Sequence, residues 1–447
     1  MNQKIWILSG AALALALTAC KPAMQPAAEK PVPVAQAEQQ TETVSPLEQL
    51  PFYQQKLSST PYLPANLAQA STNCAVGEAA SDTEYRTAAQ TDYNNFGWEQ
   101  RVAADWEFFG TDTVLGRVLV IDYAEQDGKL AYRYLANANS HTQLYEPWSS
   151  SKVMAITGAV SQARQAGVGA QSLAGSVPVP DLITSIHTYK PFGKADGNSN
   201  AIASYLVNLA GREYLTELFH ERWLKLSVPE VKLKGAYAQE IFDPGVNNWQ
   251  DMHSDQSAPM PRLSDNQADP SYLPYRCETC GLTGNKPMTT LAEAEWLKRL
   301  ASHGREAATR HPGLTQADID SLFYGIGHSD KDHQYGGMLM GISRVLTDAI
   351  ANSMQADNTD SKQTLDSATD GNWRVFQKIG WGPSGTRGTA EMVMLAHVCL
   401  PDYQGGREFT LAAQTSVPGD EEIRVNDAAK QMQALLDNAM QALLKQD

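Results

Sequence analysis

A serine hydroxyl becomes a useful nucleophile only when a neighbouring base takes its proton, and Ser149-Ser150-Ser151-Lys152 offers such a pair. Near a helix start, Lys152 lies about one turn from Ser149 on the same face, so a neutral amine there can reach the hydroxyl. A helix start also presents unpaired N–H groups and the positive end of the helix dipole, where the oxyanion of acyl transfer is stabilised. Two other polar segments lie far off in the chain. Asn198-Ser199-Asn200 opens the apolar stretch AIASYLVNLAG, and Lys378-Ile379-Gly380 closes another apolar run. Alone, Ser-x-x-Lys is equally a serine-rich cap followed by a surface lysine. The chemistry requires the three segments to meet in one cleft.

The order Ser-x-x-Lys, polar-x-Asn, Lys-x-Gly resembles the motif set of class A β-lactamases and penicillin-binding proteins. Trp148 to Ala155 is similar to the nucleophile helix of class A β-lactamases, and GNKPMTTL from Gly284, followed by AEAEWLKRL, resembles the helix after their active-site loop. The resemblance spans roughly residues 110–445. It implies an α+β, β-lactamase/transpeptidase-like fold, with an antiparallel sheet flanked by terminal helices plus a mainly helical lobe. It further implies that Ser149 forms an acyl-enzyme and that Lys152 acts as general base or proton relay. Asn200 would hold the substrate amide and the lysine network, and Lys378 would bias the cleft for a substrate carboxylate. The Ser149 and Trp381 N–H groups would form the oxyanion hole. Gly380 is expected beside the substrate, and Ser384, Thr386 or Arg387, in the loop after the strand, is expected to bind its carboxylate in place of the hydroxyl that position 379 lacks.

The sequence departs from that pattern at several positions. The first residue of the middle motif usually carries a hydroxyl that relays a proton, and here it is Asn198, whose amide cannot do so. Ser199 supplies a hydroxyl if the register shifts. Ile379 stands where Thr or Ser is usual. No clear deacylating glutamate is visible; Glu278 is in the right region but reads as a solvated loop acid. The stretch from about 220 to 280 looks like an insertion that would reshape or cover the cleft.

These residues need a scaffold, and its elements are partly legible. Gly116–Tyr123 and Leu130–Leu135 alternate or run apolar around an Asp127-Gly128 turn, which predicts a β-hairpin. Ser150–Gly167 predicts a helix, and the middle of the chain, about 150–365, reads as helices and loops. Strands return at Trp373–Ile379, Glu391–Cys399 and Glu408–Thr415, and a helix over Asn426–Leu444 closes the chain with an apolar stripe. Strands from both ends must therefore pair, leaving the helical middle as a second lobe and a cleft between them. The aromatic group Tyr93, Phe96, Trp98, Trp106, Phe108 and Phe109 reads as packing.

The chain has 447 residues, 42% apolar and 19% charged, with a formal charge of −15. That supports a substantial core and argues against a nucleic-acid partner, which needs a basic face. Residues 1–19 have the layout of a secretory signal: Lys4, then an apolar run too short to span a bilayer. Leu17-Thr18-Ala19-Cys20 looks like the lipobox of bacterial lipoproteins, which implies lipid attachment at Cys20. Lys21, rather than Asp, then implies an outer-membrane anchor facing the periplasm. Residues 20–50, rich in Pro, Ala, Gln and Glu, read as a tether, leaving 51–447 as the folded domain.

An oxidising compartment permits disulfides. Cys277 and Cys280 are expected to pair locally or with Cys74, because a lone CxxC lacks the second ligand pair of a zinc site. His328, Asp330, Asp332 and His333 read as an exposed loop, and neither metal nor cofactor is expected. The function implied is a serine hydrolase acting on a D-alanyl-type peptide of peptidoglycan or on a β-lactam. The alternatives are a binding module that kept the fold without catalysis, and an esterase on the same scaffold.

Overall fold

The computed structural model describes residues 44–445 except 68–69, 239, 262–285 and 355–359. The strands are β1 (Arg86–Thr87), β2 (Ala103–Asp105), β3 (Arg117–Gln126), β4 (Lys129–Ala136), β5 (Ser172–Ala174), β6 (Val177–Pro178), β7 (Asn248–Asp251), β8 (Ser257–Pro259), β9 (Arg374–Ser384), β10 (Thr389–Leu400) and β11 (Arg407–Pro418). The helices are α1 (Ala88–Thr91), α2 (Lys152–Arg164), α3 (Val179–Thr188), α4 (Ser199–Ala210), α5 (Arg212–Glu217), α6 (Thr290–Ala301), α7 (Gln316–Tyr324), α8 (Val345–Met354), α9 (Ser361–Ala368) and α10 (Val425–Leu444).

The main sheet runs β1-β4-β3-β11-β10-β9, with β2 parallel to β4 and the other neighbours antiparallel. The β3–β4 hairpin turns at Asp127 and Gly128, both at positive φ (53° and 70°), as a two-residue turn matched to strand twist requires. Pairing of β3 with β11, from Asp122 opposite Phe409 to Arg117 opposite Gln414, joins the two ends of the chain in one sheet. The architecture is α+β: a mainly antiparallel sheet flanked by terminal helices, with a mainly helical lobe between, as the sequence leads one to expect.

Strand alternation divides the core in two. Val118 and Val120 of β3 and Met392, Met394 and Ala396 of β10 face α8 and α10, against Met432, Leu436 and Met440. Leu119, Ile121, Val393 and Leu395 face the helical lobe, against Met154, Ile156 and Leu297. Because both faces are covered, these strands read as continuous apolar runs. Each fully buried side chain of this kind contributes about 1.5–3 kcal/mol relative to exposure.

Four features differ from the sequence reading or refine it. The lobe holds a small second sheet, β6-β5-β7-β8, whose strands are too short to show alternation. Leu47, Tyr53 and Leu57 are buried against the terminal helices, so packing begins before residue 51. Cys74 pairs with Cys399, not with Cys277 or Cys280; those two lie outside the described residues. The β-fold brings the ends of the chain together, and spacing along the sequence cannot reveal that. The expected aromatic packing holds for Tyr93 and Trp98, buried with Tyr132 and Tyr134, whereas Phe96 is exposed. Among the described residues no helix is long and apolar enough to cross a membrane.

Candidate active site

Ser149 sits in a tight turn, Trp148–Ser151, that feeds α2. Trp148 takes a left-handed conformation, φ 51°, a strain of order 1–3 kcal/mol that persists only where surroundings enforce it. Its indole Nε1 donates to Glu391 Oε2 at 2.8 Å, and Arg387 fixes that carboxylate from 2.9 and 2.8 Å. A Cβ at Gly382 would lie 2.3 Å from the Trp148 ring, and one at Gly380 would lie 2.4 Å from the Ser149 backbone nitrogen. The glycine of Lys-x-Gly thus lets the nucleophile turn lie directly against β9, bringing the Ser149 amide nitrogen to the backbone of that strand. Behind the turn, Ser150 Oγ lies 2.6 Å from Pro147 O and 2.5 Å from Glu293 Oε1, and Tyr145 donates to Glu293 Oε2 at 2.6 Å. Burial pushes the Glu293 carboxyl up to about 7. Ser149 itself remains partly exposed.

Two amines approach from opposite sides. Lys152 is fully buried, and its Nζ lies 3.0 Å from Ser199 Oγ and 2.5 Å from Asn200 Oδ1. Among the described residues these are its hydrogen-bond partners; Ser149 is not one of them. Desolvation, reinforced by the Lys286 charge, holds its proton affinity well below that of an ordinary lysine. Lys378 is 1% exposed. Its Nζ donates to Tyr189 Oη at 2.5 Å and to Ile379 O at 3.1 Å. Burial, then the Lys152 charge, lowers its affinity in the same way.

Tyr189 stands between the amines and was not marked by the sequence reading. Its ring lies 5.2 Å from Lys152 Nζ and 3.9 Å from Lys378 Nζ. Its hydroxyl donates to Ile379 O at 2.9 Å, next to Gly380, the position that the Ser149 backbone nitrogen closely approaches. Tyr189 follows α3 in a left-handed conformation, φ 55°. The signal available was slight: Pro191 stops a helix, which places Tyr189 near a helix end, but no motif marks it.

The remaining expected residues separate into two groups. Asn200, Trp381, Ser384 and Thr386 line a cleft of about 500 Å³ with Ser149, and Glu146, Tyr237, Lys286 and Arg387 share its walls. Ser384 Oγ and Thr386 Oγ1 lie 3.3 Å apart. Ser199 is buried beneath the cleft, donating to Ile186 O at 2.9 Å. Asn198 caps α4, accepting from Ala201 N at 3.0 Å and donating to Glu240 at 2.9 Å. Ile379 points to the far face of the sheet, into the core under the terminal helices. Of the expected insertion, Ala236 and Tyr237 form one wall of the cleft, and Tyr237 Oη lies 2.9 Å from Ser151 Oγ. Lys286 Nζ is 3.7 Å from Glu146 and 4.6 Å from the Tyr237 ring centroid.

Glu278 lies outside the described residues. His333 Nδ1 pairs with Asp330 at 3.1 Å. Among the described residues no group of three or more His, Cys, Asp or Glu side chains is arranged to hold a metal. The cleft brings together what acyl transfer uses: a partly exposed hydroxyl, two buried amines with lowered proton affinity nearby, and cationic side chains in its walls.

No protein-family model matches the chain, and no curated protein matches it. Among solved structures it is similar to a β-lactamase from Burkholderia ambifaria, with 14% identity and a TM-score of 0.36 over 74% of this chain and 96% of that one. It is also similar to the C-terminal domain of the Bacillus licheniformis BlaR penicillin-receptor, with 10% identity and a TM-score of 0.35 over 75% and 96% of the two chains. A third is the carbapenemase VCC-1 from Vibrio cholerae, with 13% identity and a TM-score of 0.33 over 73% and 93%.

Proposed function

We propose that this chain is a serine acyl-enzyme hydrolase acting on a peptide or lactam carbonyl, of D-alanyl-peptide or β-lactam type, in the cell envelope. The observation that carries the reading is the cleft that Ser149 shares with Asn200, the hydrogen-bond partner of the buried Lys152 amine, with Lys378, paired to Tyr189, on the strand against which the Ser149 turn lies. Burial that lowers a lysine's proton affinity favours the free amine that a general base must present. Lys152, oriented by Ser199 and Asn200, takes the Ser149 proton as Oγ attacks the carbonyl. The Ser149 amide and the helix start stabilise the oxyanion. Lys378 and Lys286 favour a substrate bearing a carboxylate, which D-alanyl peptides and β-lactams share. The outer edge of β9 beyond Gly380 offers backbone groups to an extended acyl chain.

The site of action is part of the same proposal. The pattern at residues 1–20 supports export and lipid attachment at Cys20, with the cleft facing the periplasm. Cys20→Ala is expected to move the protein from the membrane to the soluble fraction of the envelope. The decisive experiment on chemistry is covalent labelling by a fluorescent penicillin, read by intact mass. Ser149→Ala is expected to abolish it, and labelling that survives the change refutes the nucleophile. A second reading, a binding module that acylates without turnover, is favoured by the engagement of Lys152 with Ser199 and Asn200 rather than Ser149. An adduct that forms stoichiometrically and persists for hours selects it.

A further inference from the structure

Expelling an amine from a tetrahedral intermediate requires a proton on the departing nitrogen, since an amide anion is too basic to leave. The middle motif has an amide, Asn198, where a relay hydroxyl is expected, and that amide is engaged by Glu240 and the start of α4. The neighbouring hydroxyls are also committed. Ser199 is buried and donates to Ile186 O, and Ser151 lies 3.0 Å from Trp148 O. Ser150 bridges Pro147 and Glu293.

We infer that the Tyr189 hydroxyl donates this proton, so that the relay has moved from the middle motif to the end of α3; the inference rests on the acyl-transfer reading. Tyr189 differs from these buried serines in being partly exposed; its hydroxyl donates to Ile379 O at 2.9 Å and turns from that carbonyl to the leaving nitrogen when substrate is bound. Behind it stands a proton source, Lys378 Nζ at 2.5 Å. Its ring is held by Trp381, with centroids 5.3 Å apart, and Trp381 in turn contacts Tyr53 at 6.3 Å. The left-handed backbone at the helix end, φ 55°, is a conformation a bulky residue keeps only when the surroundings require it.

The step balances. The Ser149 Oγ–carbonyl bond forms and the carbonyl C–N bond breaks. The Ser149 proton passes to Lys152, the Tyr189 proton goes to the leaving nitrogen, and the Lys378 ammonium refills the phenol. The two lysines together end with as many protons as they began with.

The test is Tyr189→Phe in the full chain, with acylation measured by two probes. A penicillin has a nitrogen leaving group that needs a proton. A p-nitrophenyl ester has a phenolate that departs without one. The expected result is a loss of about 10²–10⁴-fold with the penicillin, the range of general-acid catalysis, and only a few-fold change with the ester. Equal losses with both probes, or no loss with either, overturn the inference while leaving acyl transfer at Ser149 intact. A wild-type chain acylated by neither probe overturns the acyl-transfer reading, and the inference with it. Where the variant fails to fold, the wild type decides with a series of esters of rising leaving-group basicity. A shallow dependence supports proton donation, and a steep fall in rate overturns it.

Discussion

Glu293 gives the sharpest physical prediction, because its protonation can be argued twice. The Ser150 hydroxyl has one proton but faces two acceptors, Pro147 O and Glu293 Oε1. Both contacts are satisfied only if Glu293 carries a proton and donates to Ser150, which then donates to Pro147. Burial independently raises the Glu293 carboxyl from 4.5 to about 7. A proton held more tightly in the folded state stabilises it below the unfolded value, and that stabilisation is lost as pH rises through the folded value. At 1.36 kcal/mol per unit, the full loss is roughly 3 kcal/mol, of which about 2.5 kcal/mol falls between pH 5 and pH 8. Glutamine mimics the protonated acid and does not titrate. Urea unfolding of wild type and Glu293→Gln at both pH values, with the disulfide intact, isolates the contribution. The wild type is expected to lose about 2.5 kcal/mol more than the variant over that interval. Parallel pH dependences refute both the raised carboxyl and the proton chain through Ser150.

Three other outcomes follow from the same geometry. Gly380→Ala places a Cβ 2.4 Å from the Ser149 nitrogen, so stability is expected to fall by about 1–3 kcal/mol and penicillin acylation to drop more than folding alone explains, as read by melting and labelling rates. The Lys286 charge lowers the affinity of Lys152 for its proton. Lys286→Met is therefore expected to raise it and shift the alkaline rise of the acylation rate to higher pH; an unmoved profile removes Lys152 as the base. Replacing both Cys74 and Cys399 with serine is expected to cost about 2–5 kcal/mol in unfolding free energy, and an unchanged melting temperature shows the bond to be dispensable.

Much of the fold was legible because its signals are local. The Asp127-Gly128 turn between apolar runs specified the hairpin, and the apolar stripe of α10 announced the closing helix. Ser149, Lys152, Asn200 and Lys378 were legible as a set because their order along the chain matches a known motif order. The rest depends on contacts that no spacing records. Glu293 lies in AEAEWLKRL and reads as an ordinary polar helix position; only the fold turns it inward against Ser150. Tyr189 reaches the lysines because α3 ends where β9 passes. Cys74 meets Cys399 because the segment around Gly77 runs beside the β10–β11 turn, with Gly77 N bonded to Gly406 O, whereas sequence proximity favours the CxxC. Ile379 looked like a lost hydroxyl, yet alternation along β9 sends position 379 to the opposite face.

The bond between Cys74 and Cys399 closes a covalent ring with a sequence separation of 325 residues, and Ser149, Tyr189, Lys152 and Lys378 all lie inside it. An oxidant cannot join the two sulfurs until most of the polypeptide has been delivered, so ring closure is a late event in maturation. Thereafter a protease that nicks one surface loop within the ring yields two segments that remain a single molecule, parting only when the bond is reduced. Electrophoresis of the nicked protein with and without reductant makes that difference visible.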